Sequence, residues 1–331
     1  MTLAGSSYPD GIWELRGQPD WIHLLGPGPP QRFSEGIWID RCQGIELPQQ
    51  APRRYRGRIW VQVGRQGQLL LINWIPLEDY LLSVVPGEMP PEWPQAALQA
   101  QAILARTLAL PFLRPLTPWP DQTPRLQDST THQFYGGQTY ETAATTVAVR
   151  ATQAQILTHQ HHPIEALFHS TCGGHTSANQ SIFAPPAHPY LQGVSCSWCR
   201  ESPFWGPHSV ELSVQDCAEI FGPGEIKVTS RDPHGRPLQI QVGQQPWMGQ
   251  DFWLTLGQHL GWGLLPGNRF QIQPRQPEER VYRVIYQGAG HGVGLCQWGA
   301  RGLAAVGRTV QDILQYYYPG TEIHPISTSR S

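Results

Sequence analysis

The chain carries little charge and has no long apolar run. Only 15% of its 331 residues are charged and 40% are hydrophobic, so its composition favours a folded core over disorder. The formal net charge of -2 argues against nucleic acid and other partners that are bound by bulk electrostatics. No stretch reaches the roughly 18 apolar residues that a membrane span requires, so we predict no membrane span in this chain.

Features of exported and disulfide-rich proteins are also scarce. The start of the chain, MTLAGSSYPDGIWELRG, lacks a basic segment followed by an apolar one, and we therefore predict no signal peptide. Six cysteines in 331 residues are too few for a disulfide scaffold. Gly and Pro are abundant instead, with 34 and 32 copies, which predicts many turns and short elements. The 13 Trp residues supply flat faces that pack in a core or stack on sugar rings.

A β-hairpin and a short helix are predicted in the first third of the chain. The β-forming residues from Tyr55 onward and those at 69–74 flank a turn at 64–67, which is the pattern of a hairpin. Pro76 suits the first turn of a helix. We expect that helix to stop at Pro86-Gly87.

A second predicted helix is rich in Ala and Leu. Its sequence, QAALQAQAILARTLAL, starts near Pro94 and ends at Pro111, because proline lacks the N–H that would continue the helix. Small side chains let another backbone approach closely, so we expect this helix to be central and buried. The residues of its small face, at helical spacing, are Leu98, Ala102, Ala105 and Ala109.

The rest of the chain is predicted to form short elements separated by turns. Helices are predicted over residues 141–151 and 309–317, strands over 154–158 and 164–169, and β-structure around turns over 225–285. We therefore predict an α+β fold. In it, short helices, including the Ala-rich one, pack on several antiparallel sheets around a substrate groove.

Several sequence blocks follow one another along the chain in an informative order. They are Tyr55-Arg-Gly, Pro76-Leu-Glu-Asp-Tyr, Pro86-Gly-Glu-Met-Pro, Ala100-Gln-Ala with Ala105-Arg-Thr, Thr131-His-Gln-Phe-Tyr-Gly-Gly, Phe168-His-Ser-Thr-Cys-Gly-Gly-His-Thr, Gly290-His-Gly-Val-Gly-Leu-Cys-Gln-Trp-Gly-Ala and Tyr317-Tyr-Pro-Gly-Thr. One such block alone is weak evidence of relationship. This many blocks in the order that one known family shows make the resemblance specific. Over roughly residues 55–323 the chain resembles the SpoIID/LytB family.

The resemblance implies a domain that acts on peptidoglycan. Some members of the family are lytic transglycosylases and others modify separate wall hydrolases, so the fold alone does not guarantee catalysis. The resemblance implies that the chain binds peptidoglycan glycan strands and is located in the cell envelope or periplasm. If the chain is one of the members that modify wall hydrolases, a cell-wall amidase is implied as a further partner. We expect an N-terminal β and loop segment over residues 1–50, a SpoIID-like catalytic domain over 51–325 and a tail over 326–331. The chain departs from the family pattern at Cys172 and Cys296, where serine is the commoner residue.

The candidate catalytic acid is a single glutamate, since the family's catalytic Glu falls on Glu88 in Pro86-Gly-Glu-Met-Pro. Cleavage of a glycosidic bond needs an acid that protonates the leaving oxygen. In a lytic transglycosylase the sugar's own 6-hydroxyl attacks the anomeric centre, so one carboxyl group can act first as acid and then as base. Apolar neighbours are expected to raise the pKa of Glu88 and keep it protonated near neutral pH. The rival carboxylates are Glu78, Asp79 and Glu92, and a solvated, idle Glu88 is the alternative.

Further residues are candidates for contacts with the glycan. Arg106 suits a hydrogen bond in a groove and a buried structural role equally well. His291 lies in the Gly-rich turn 288–294, which lets the backbone approach a ligand closely. We expect Trp298 to pack in the core. The candidate substrate-binding residues are Gln99, Gln101, Arg106, His169, Ser170, His291 and Gln297.

Two spacings typical of metal sites lie about 20 residues apart. Cys172-x-x-His175 and Cys196-x-x-Cys199 together offer the four nitrogen and sulfur ligands that tetrahedral zinc prefers. A closed site with four protein ligands is structural, because it leaves no open position. We therefore predict one structural zinc and no organic cofactor. A Cys196–Cys199 or Cys172–Cys196 disulfide, or unrelated thiols, are the alternatives.

Two functions remain open from the sequence. The first is an enzyme that cleaves between N-acetylmuramic acid and N-acetylglucosamine without water and leaves an anhydro-sugar end, with Glu88 as its acid. The second is a non-catalytic module that binds peptidoglycan and stimulates a partner amidase.

Overall fold

The computed structural model describes residues 2–3, 6–7, 13–34, 36–40, 53–64, 66–113, 126–128, 132–183, 186–276 and 278–326. Within these ranges the chain forms eight α-helices and many short strands, which confirms the predicted α+β class. Among the helices in these ranges, none has the length and apolar character that crossing a membrane would take.

The chain folds into two compact units. Unit 1 consists of residues 1–91 and 109–153, and unit 2 of residues 92–108 and 154–331. The predicted domain boundaries at residues 50 and 325 stay predictions, as does the substrate groove. Residues 327–331 of the predicted tail lie outside the described ranges.

Unit 1 is dominated by antiparallel strands. Its strands are β1 (Thr2–Leu3), β2 (Ser6–Ser7), β3 (Glu14–Gln18), β4 (Trp21–Leu25), β5 (Gln31–Phe33), β6 (Ile37–Asp40), β7 (Arg58–Val63) and β8 (Leu69–Trp74). They form one sheet in the order β2-β1-β6-β7-β8 and a second in the order β3-β4-β5. Strands β7 and β8 pair from Arg58 with Trp74 to Val63 with Leu69, which confirms the predicted hairpin.

Alternating residues of these strands supply the core of unit 1. Strands β4, β6 and β7 each place every second side chain in the interior, as the two-residue period of a strand requires. The buried residues of this core are Ile22, Leu24, Ile37, Ile39, Ile59 and Val61.

The helices of the first half of the chain follow the hairpin. They are α1 (Leu77–Glu88), α2 (Gln95–Ala109) and α3 (Ala143–Ala151), with 3-10 turns at Leu110–Phe112 and Gln138–Tyr140. The prediction that the first helix stops at Pro86-Gly87 is wrong, because α1 includes both residues and ends at Glu88. Pro86 lies in the last turn, where it removes a single backbone hydrogen bond. The buried face from Tyr80 to Val85 outweighs that loss.

Unit 2 contains most of α2 and the remaining elements. Its strands are β9 (Gln155–His159), β10 (His162–Pro163), β11 (Phe168–His169), β12 (His208–Ser213), β13 (Ile226–Arg231), β14 (Pro237–Val242), β15 (Gln245–Met248), β16 (Phe270–Ile272), β17 (Val281–Tyr286), β18 (Leu295–Cys296) and β19 (Glu322–Pro325). Its helices are α4 (Asn179–Ile182), α5 (Val214–Phe221), α6 (Gly249–Leu260), α7 (Gln297–Ala305) and α8 (Val310–Tyr317). Three small sheets, β10-β9-β19, β12-β17-β16 and β13-β14-β15, are antiparallel, and β11 pairs with β18 in parallel.

The small-residue face of helix α2 is buried, as predicted. Leu98, Ala102 and Ala105 have no exposed surface, and Ala109 is 1% exposed. The absence of bulky side chains on this face lets neighbouring segments pack directly against the helix backbone.

Two predictions of strands need correction. The predicted β-structure over 225–285 is wrong at α6, whose Phe252, Trp253 and Leu256 are buried on one helical face. Of the strand predicted over 164–169, only Phe168–His169 pairs with another strand.

Candidate functional site

The candidate acid lies at the C-terminal end of α1. Glu88 is half-buried, and its Oε1 accepts a hydrogen bond from the backbone N–H of Phe134 at 3.2 Å. A Cβ atom at Gly87 would lie 2.6 Å from Cδ1 of Phe134, so glycine permits the close approach of the two segments. We call Pro86-Gly87-Glu88-Met89 the acid segment. The acid segment is held by contacts with Phe134, which comes 46 residues after Glu88 in the chain.

The segment that carries Phe134 is itself anchored by hydrogen bonds that are buried or partly buried. The Tyr80 hydroxyl donates to Oε1 of Gln133 at 3.0 Å. Tyr135 donates its N–H to Oδ1 of Asp128 at 2.8 Å and its hydroxyl to Oδ1 of Asn73 at 2.9 Å. Burial raises the pKa of both tyrosines, so their hydroxyls stay protonated. The sequence singled out this block but gave its residues no role, and the structure shows that it holds Glu88.

Two of the three rival carboxylates lie at the opposite end of α1. Glu78 and Asp79 occupy the first turn of α1, as predicted, where the helix dipole favours negative charge. The rise of an α-helix puts about 15 Å between Glu78 and Glu88. Glu92 is exposed and belongs to unit 2.

Arg106 ties two elements of unit 2 together. Its side chain is fully buried, and its Nη1 donates to the carbonyl oxygen of Gln155, at the start of β9, at 3.0 Å. The neighbouring Thr107 accepts a hydrogen bond at its Oγ1 from the N–H of Leu157 at 2.9 Å. These contacts favour the structural role for Arg106 over the groove-lining one.

The candidate glutamines lie on α2 and α7. Nε2 of Gln297 donates to Oε1 of Gln101 at 3.4 Å, and both side chains are buried. Gln99, on α2, is half-buried. Contact of the three amides with a glycan stays a prediction.

Ser170 and Trp298 link β11 to α7. The carbonyl oxygen of Ser170 accepts a hydrogen bond from the N–H of Trp298 at 3.1 Å. The half-buried Trp298 ring packs edge-on against Trp93, with the ring centroids 5.0 Å apart. Ser170 is half-buried, and its role in binding stays a prediction.

His169 and His291 form a neutral pair with centroids 5.5 Å apart. Nδ1 of His169 bonds to the carbonyl oxygen of Val293 at 3.1 Å, and Nε2 of His291 to that of Phe168 at 2.8 Å. Because a carbonyl oxygen only accepts, those two nitrogens carry the protons. Burial lowers the pKa of His291 to about 4 and holds that of His169 well below its ordinary range. His169 is 4% exposed, so it supports the loop that carries His291.

Four cysteine thiols converge in unit 2. The Sγ atoms of Cys172, Cys196, Cys199 and Cys296 all lie within 4.8 Å of one another, and those of Cys172 and Cys199 are 3.5 Å apart. All four side chains are fully buried. We call these residues the thiol cluster. It contains three of the four predicted metal ligands, and its fourth member is Cys296 in place of His175.

His175 lies outside the thiol cluster. Its Nδ1 bonds to the carbonyl oxygen of Thr176 at 2.6 Å, and its ring stacks on His234 with the centroids 3.3 Å apart. Gly173 and Gly174 turn the chain with φ angles of +71° and +117°, and this turn separates the His175 ring from the thiols. The x-x spacing therefore did not indicate the fourth member of the thiol cluster, and binding of a metal stays a prediction.

Cys296 reaches the cluster from the N-terminus of α7. Strands β11 and β18 pair in parallel with His169 opposite Cys296, which brings this late residue beside the Cys172 segment. Sγ of Cys296 also accepts a hydrogen bond from the N–H of Gly299 at 3.4 Å, in the position where serine commonly caps a helix. The two departures from the family pattern thus meet in space. Considered together, they were the signal that could have identified the fourth thiol.

A buried arginine, which the sequence gave no reason to select, holds the segment between the cysteines. The Arg236 guanidinium donates to the carbonyl oxygens of Cys172 at 2.8 Å and His175 at 3.0 Å. It also donates to Oγ of Ser177 at 2.9 Å and to Oδ1 of Asn268 at 3.1 Å. Burial lowers the pKa of Arg236 to about 10, which leaves it charged at neutral pH.

Two further residues complete the surroundings of Arg236. Ser177 donates its hydroxyl proton to Oδ2 of Asp232, so the carboxylate balances the guanidinium through a shared neighbour. Gly292, with φ +77°, leaves the space that the guanidinium fills, because a Cβ atom there would lie 2.4 Å from Nε of Arg236. The chain requires glycine at residue 292 on both counts.

Comparison with known proteins connects this architecture to one family. A model of the stage II sporulation protein family, SpoIID, matches residues 65–159, which include the acid segment. The chain is 31% identical over 268 residues to stage II sporulation protein D of Bacillus subtilis (strain 168), covering 75% of this chain and 74% of that protein. It is 32% identical over 300 residues to an uncharacterized protein of Brachyspira hyodysenteriae, covering 88% of this chain and 77% of that protein. The chain therefore belongs to the SpoIID/LytB family, as the motifs predicted.

A more distant relative extends the comparison. The chain is 24% identical over 300 residues to the amidase enhancer of Bacillus subtilis (strain 168), covering 73% of this chain and 40% of that protein. Together with the stage II sporulation relatives, this similarity supports a cell-wall-related function and an association with the cell envelope.

Proposed function

We propose that the chain is a lytic transglycosylase that cleaves peptidoglycan glycan strands between N-acetylmuramic acid and N-acetylglucosamine. Glu88 serves as the only acid and base. The observation that carries the proposal is the placement of Glu88 at the end of a rigid helix, half-buried, with one carboxylate oxygen held by the Phe134 N–H. This backbone donor limits rotation of the carboxyl group.

Two other carboxylates of unit 1 are paired with arginines. Asp128 lies 2.5 Å from Nη1 of Arg53, and Glu141 accepts two hydrogen bonds of 2.7 Å from Arg56. Carboxylates in such pairs are poor candidates for activating a water molecule. An inverting hydrolase would need a second carboxylate about 6.5–9.5 Å from the first. The α1 acids lie about 15 Å away along the helix, which favours a mechanism with one acid.

The proposed reaction balances with that one group. Protonated Glu88 gives its proton to the glycosidic oxygen as the bond from this oxygen to C1 of N-acetylmuramic acid breaks. The 6-hydroxyl oxygen of the same muramic residue forms a bond to C1. The Glu88 carboxylate then takes the hydroxyl proton and returns to its starting state. The products are a 1,6-anhydro end and a free 4-hydroxyl on N-acetylglucosamine.

The decisive experiment is an analysis of the new ends. Peptide-free glycan strands are incubated with the purified chain in water enriched in oxygen-18, and the fragments are analysed by mass spectrometry. We expect anhydro ends, which are lighter than reducing ends by one water, with no label incorporated. Labelled reducing ends would identify water as the nucleophile and overturn the single-acid mechanism.

The similarity to an amidase enhancer favours a second candidate function, a wall-binding module that stimulates an amidase. The two candidates differ in their dependence on Glu88. If stimulation is the function, folded Glu88→Gln protein increases the rate of a purified cell-wall amidase on intact peptidoglycan as strongly as the wild type. It would do so while neither protein changes the strand ends.

A further inference from the structure

The thiol cluster has the dimensions of a metal site. In a tetrahedral zinc site the metal–sulfur distance of about 2.3 Å sets the sulfur–sulfur separation at about 3.8 Å. The Sγ atoms of the cluster lie within 4.8 Å of one another, and those of Cys172 and Cys199 are 3.5 Å apart. The geometry points to a structural zinc site formed by Cys172, Cys196, Cys199 and Cys296, with His175 excluded.

The surroundings of the sulfurs suit thiolates. Sγ of Cys172 accepts the N–H of Gly174 at 3.4 Å, and Sγ of Cys296 accepts the N–H of Cys172 at 3.3 Å. The Tyr317 hydroxyl lies 3.1 Å from Sγ of Cys196 and can donate to it. Hydrogen bonds of this kind stabilise the charge on metal-bound sulfur and fix the direction of each ligand.

The local charge also suits a zinc ion with four thiolates, which carries a net charge of two minus. The Arg236 guanidinium is buried and bonds to the carbonyl oxygen of Cys172, so one positive charge lies beside the site. Cys296 occupies the N-cap of α7, where the partial positive charge of the helix terminus acts on its sulfur. These two features offset part of the charge that burial would otherwise make costly.

The donor set determines the occupant. Four sulfur ligands select zinc or iron over magnesium and calcium, which prefer oxygen. The sulfurs lie too close together to surround a cluster of several irons, so the site accommodates one ion. With all four positions filled by protein, that ion is structural.

The zinc joins parts of unit 2 that are distant in sequence. Cys172 follows β11, Cys196 and Cys199 lie in the irregular stretch after α4, and Cys296 ends β18 and caps α7. The ion therefore ties this stretch to the strand pair β11-β18 and to the helix that carries Gln297. This role does not depend on the reaction proposed for Glu88.

The experiment measures metal content and ligand identity. The full chain, purified without chelator, is analysed for metals and by zinc X-ray absorption. We expect one zinc per chain with four sulfur neighbours. Three sulfurs and one nitrogen would place His175 in the site in place of Cys296. A metal-free protein with an internal disulfide, or one iron per chain, would equally overturn the proposal.

Matched variants identify the fourth ligand. We expect Cys296→Ser to hold zinc at least about tenfold more weakly in competition with a chromogenic chelator. His175→Ala and Cys217→Ala should bind zinc as the wild type does, since Cys217 is buried in a separate apolar cluster. Retention by Cys296→Ser together with loss by His175→Ala would contradict the assignment. If Cys296→Ser does not fold, the sulfur count on the wild-type chain still decides.

Discussion

The acid segment of unit 1 and the thiol cluster of unit 2 are built in different ways. The acid segment consists of four consecutive residues, and the half-buried Glu88 accepts a hydrogen bond from the backbone N–H of Phe134. The thiol cluster draws residues from segments up to 124 positions apart and is fully buried. A group that acts on substrate needs a firm local frame and an open side. A group that maintains the fold needs burial and many partners.

This contrast implies that the two regions respond differently to substitution. Changes at the acid segment should lower the reaction rate and leave the free energy of unfolding nearly unchanged. Changes at the thiol cluster and around Arg236 should lower the free energy of unfolding first. Four measurements test this separation.

The largest effect is expected at the acid itself. Glu88→Gln should lower the rate of strand cleavage by about 10²–10⁴-fold, because an amide cannot donate and retake a proton. The change in free energy of unfolding should stay within about 1 kcal/mol. Glu78→Gln, on the first turn of the same helix, is the matched control and should cleave normally. Near-wild-type cleavage by folded Glu88→Gln protein would remove the proposed mechanism.

Removal of zinc should affect unit 2 selectively. At free zinc about 1,000-fold above its dissociation constant, binding contributes about 4 kcal/mol to stability, which a strong chelator abolishes. Denaturant unfolding with and without chelator measures this loss. Amide hydrogen exchange should accelerate around residues 172–199 and 296–305 and stay unchanged over 77–89. Equal acceleration in both regions would contradict the separation of the two sites.

Two glycine substitutions compare the regions directly. Gly292→Ala should lower the free energy of unfolding by about 2–4 kcal/mol, because it adds a Cβ atom 2.4 Å from Arg236 at a positive φ angle. Gly87→Ala should displace Phe134 and lower the cleavage rate more than the stability. Thermal unfolding and a cleavage assay on both variants measure which property each substitution lowers more. The opposite pattern would show that the acid segment, too, is a structural element.

The smallest effect is a dependence of stability on pH. The pKa of His291 in the folded chain, about 4, lies below its unfolded value, so the unfolded chain binds the proton first as pH falls. Stability should therefore decrease by about 1 kcal/mol between pH 6.5 and 5.5 from this residue alone. His169, whose pKa is also lowered, adds to the slope, and Arg236 opposes protonation of both histidines. His291→Gln should reduce the slope, and an unchanged slope would contradict the assignment.

Local features of the fold could be predicted and distant contacts could not. The hairpin at Arg58–Trp74, helix α2 and the position of Glu88 follow from periodicity and from motifs of consecutive residues. The end of α1 was misjudged because burial of its neighbours outweighs the hydrogen bond that Pro86 removes. Arg236 has no local signature, since its partners lie on segments about 30 to 60 residues away.

The pairing of β11 with β18 also sets an order of events during synthesis. Cys172, Cys196 and Cys199 leave the ribosome together, and Cys296 follows roughly 100 residues later, after about 5–20 s at typical elongation rates. During that interval three thiols exist without their fourth partner, open to oxidants and to transient metal exchange. Closure of the proposed zinc site therefore reports that synthesis has passed residue 296. A chain truncated before residue 296 would be left with an incomplete site that a cell's quality control can recognise.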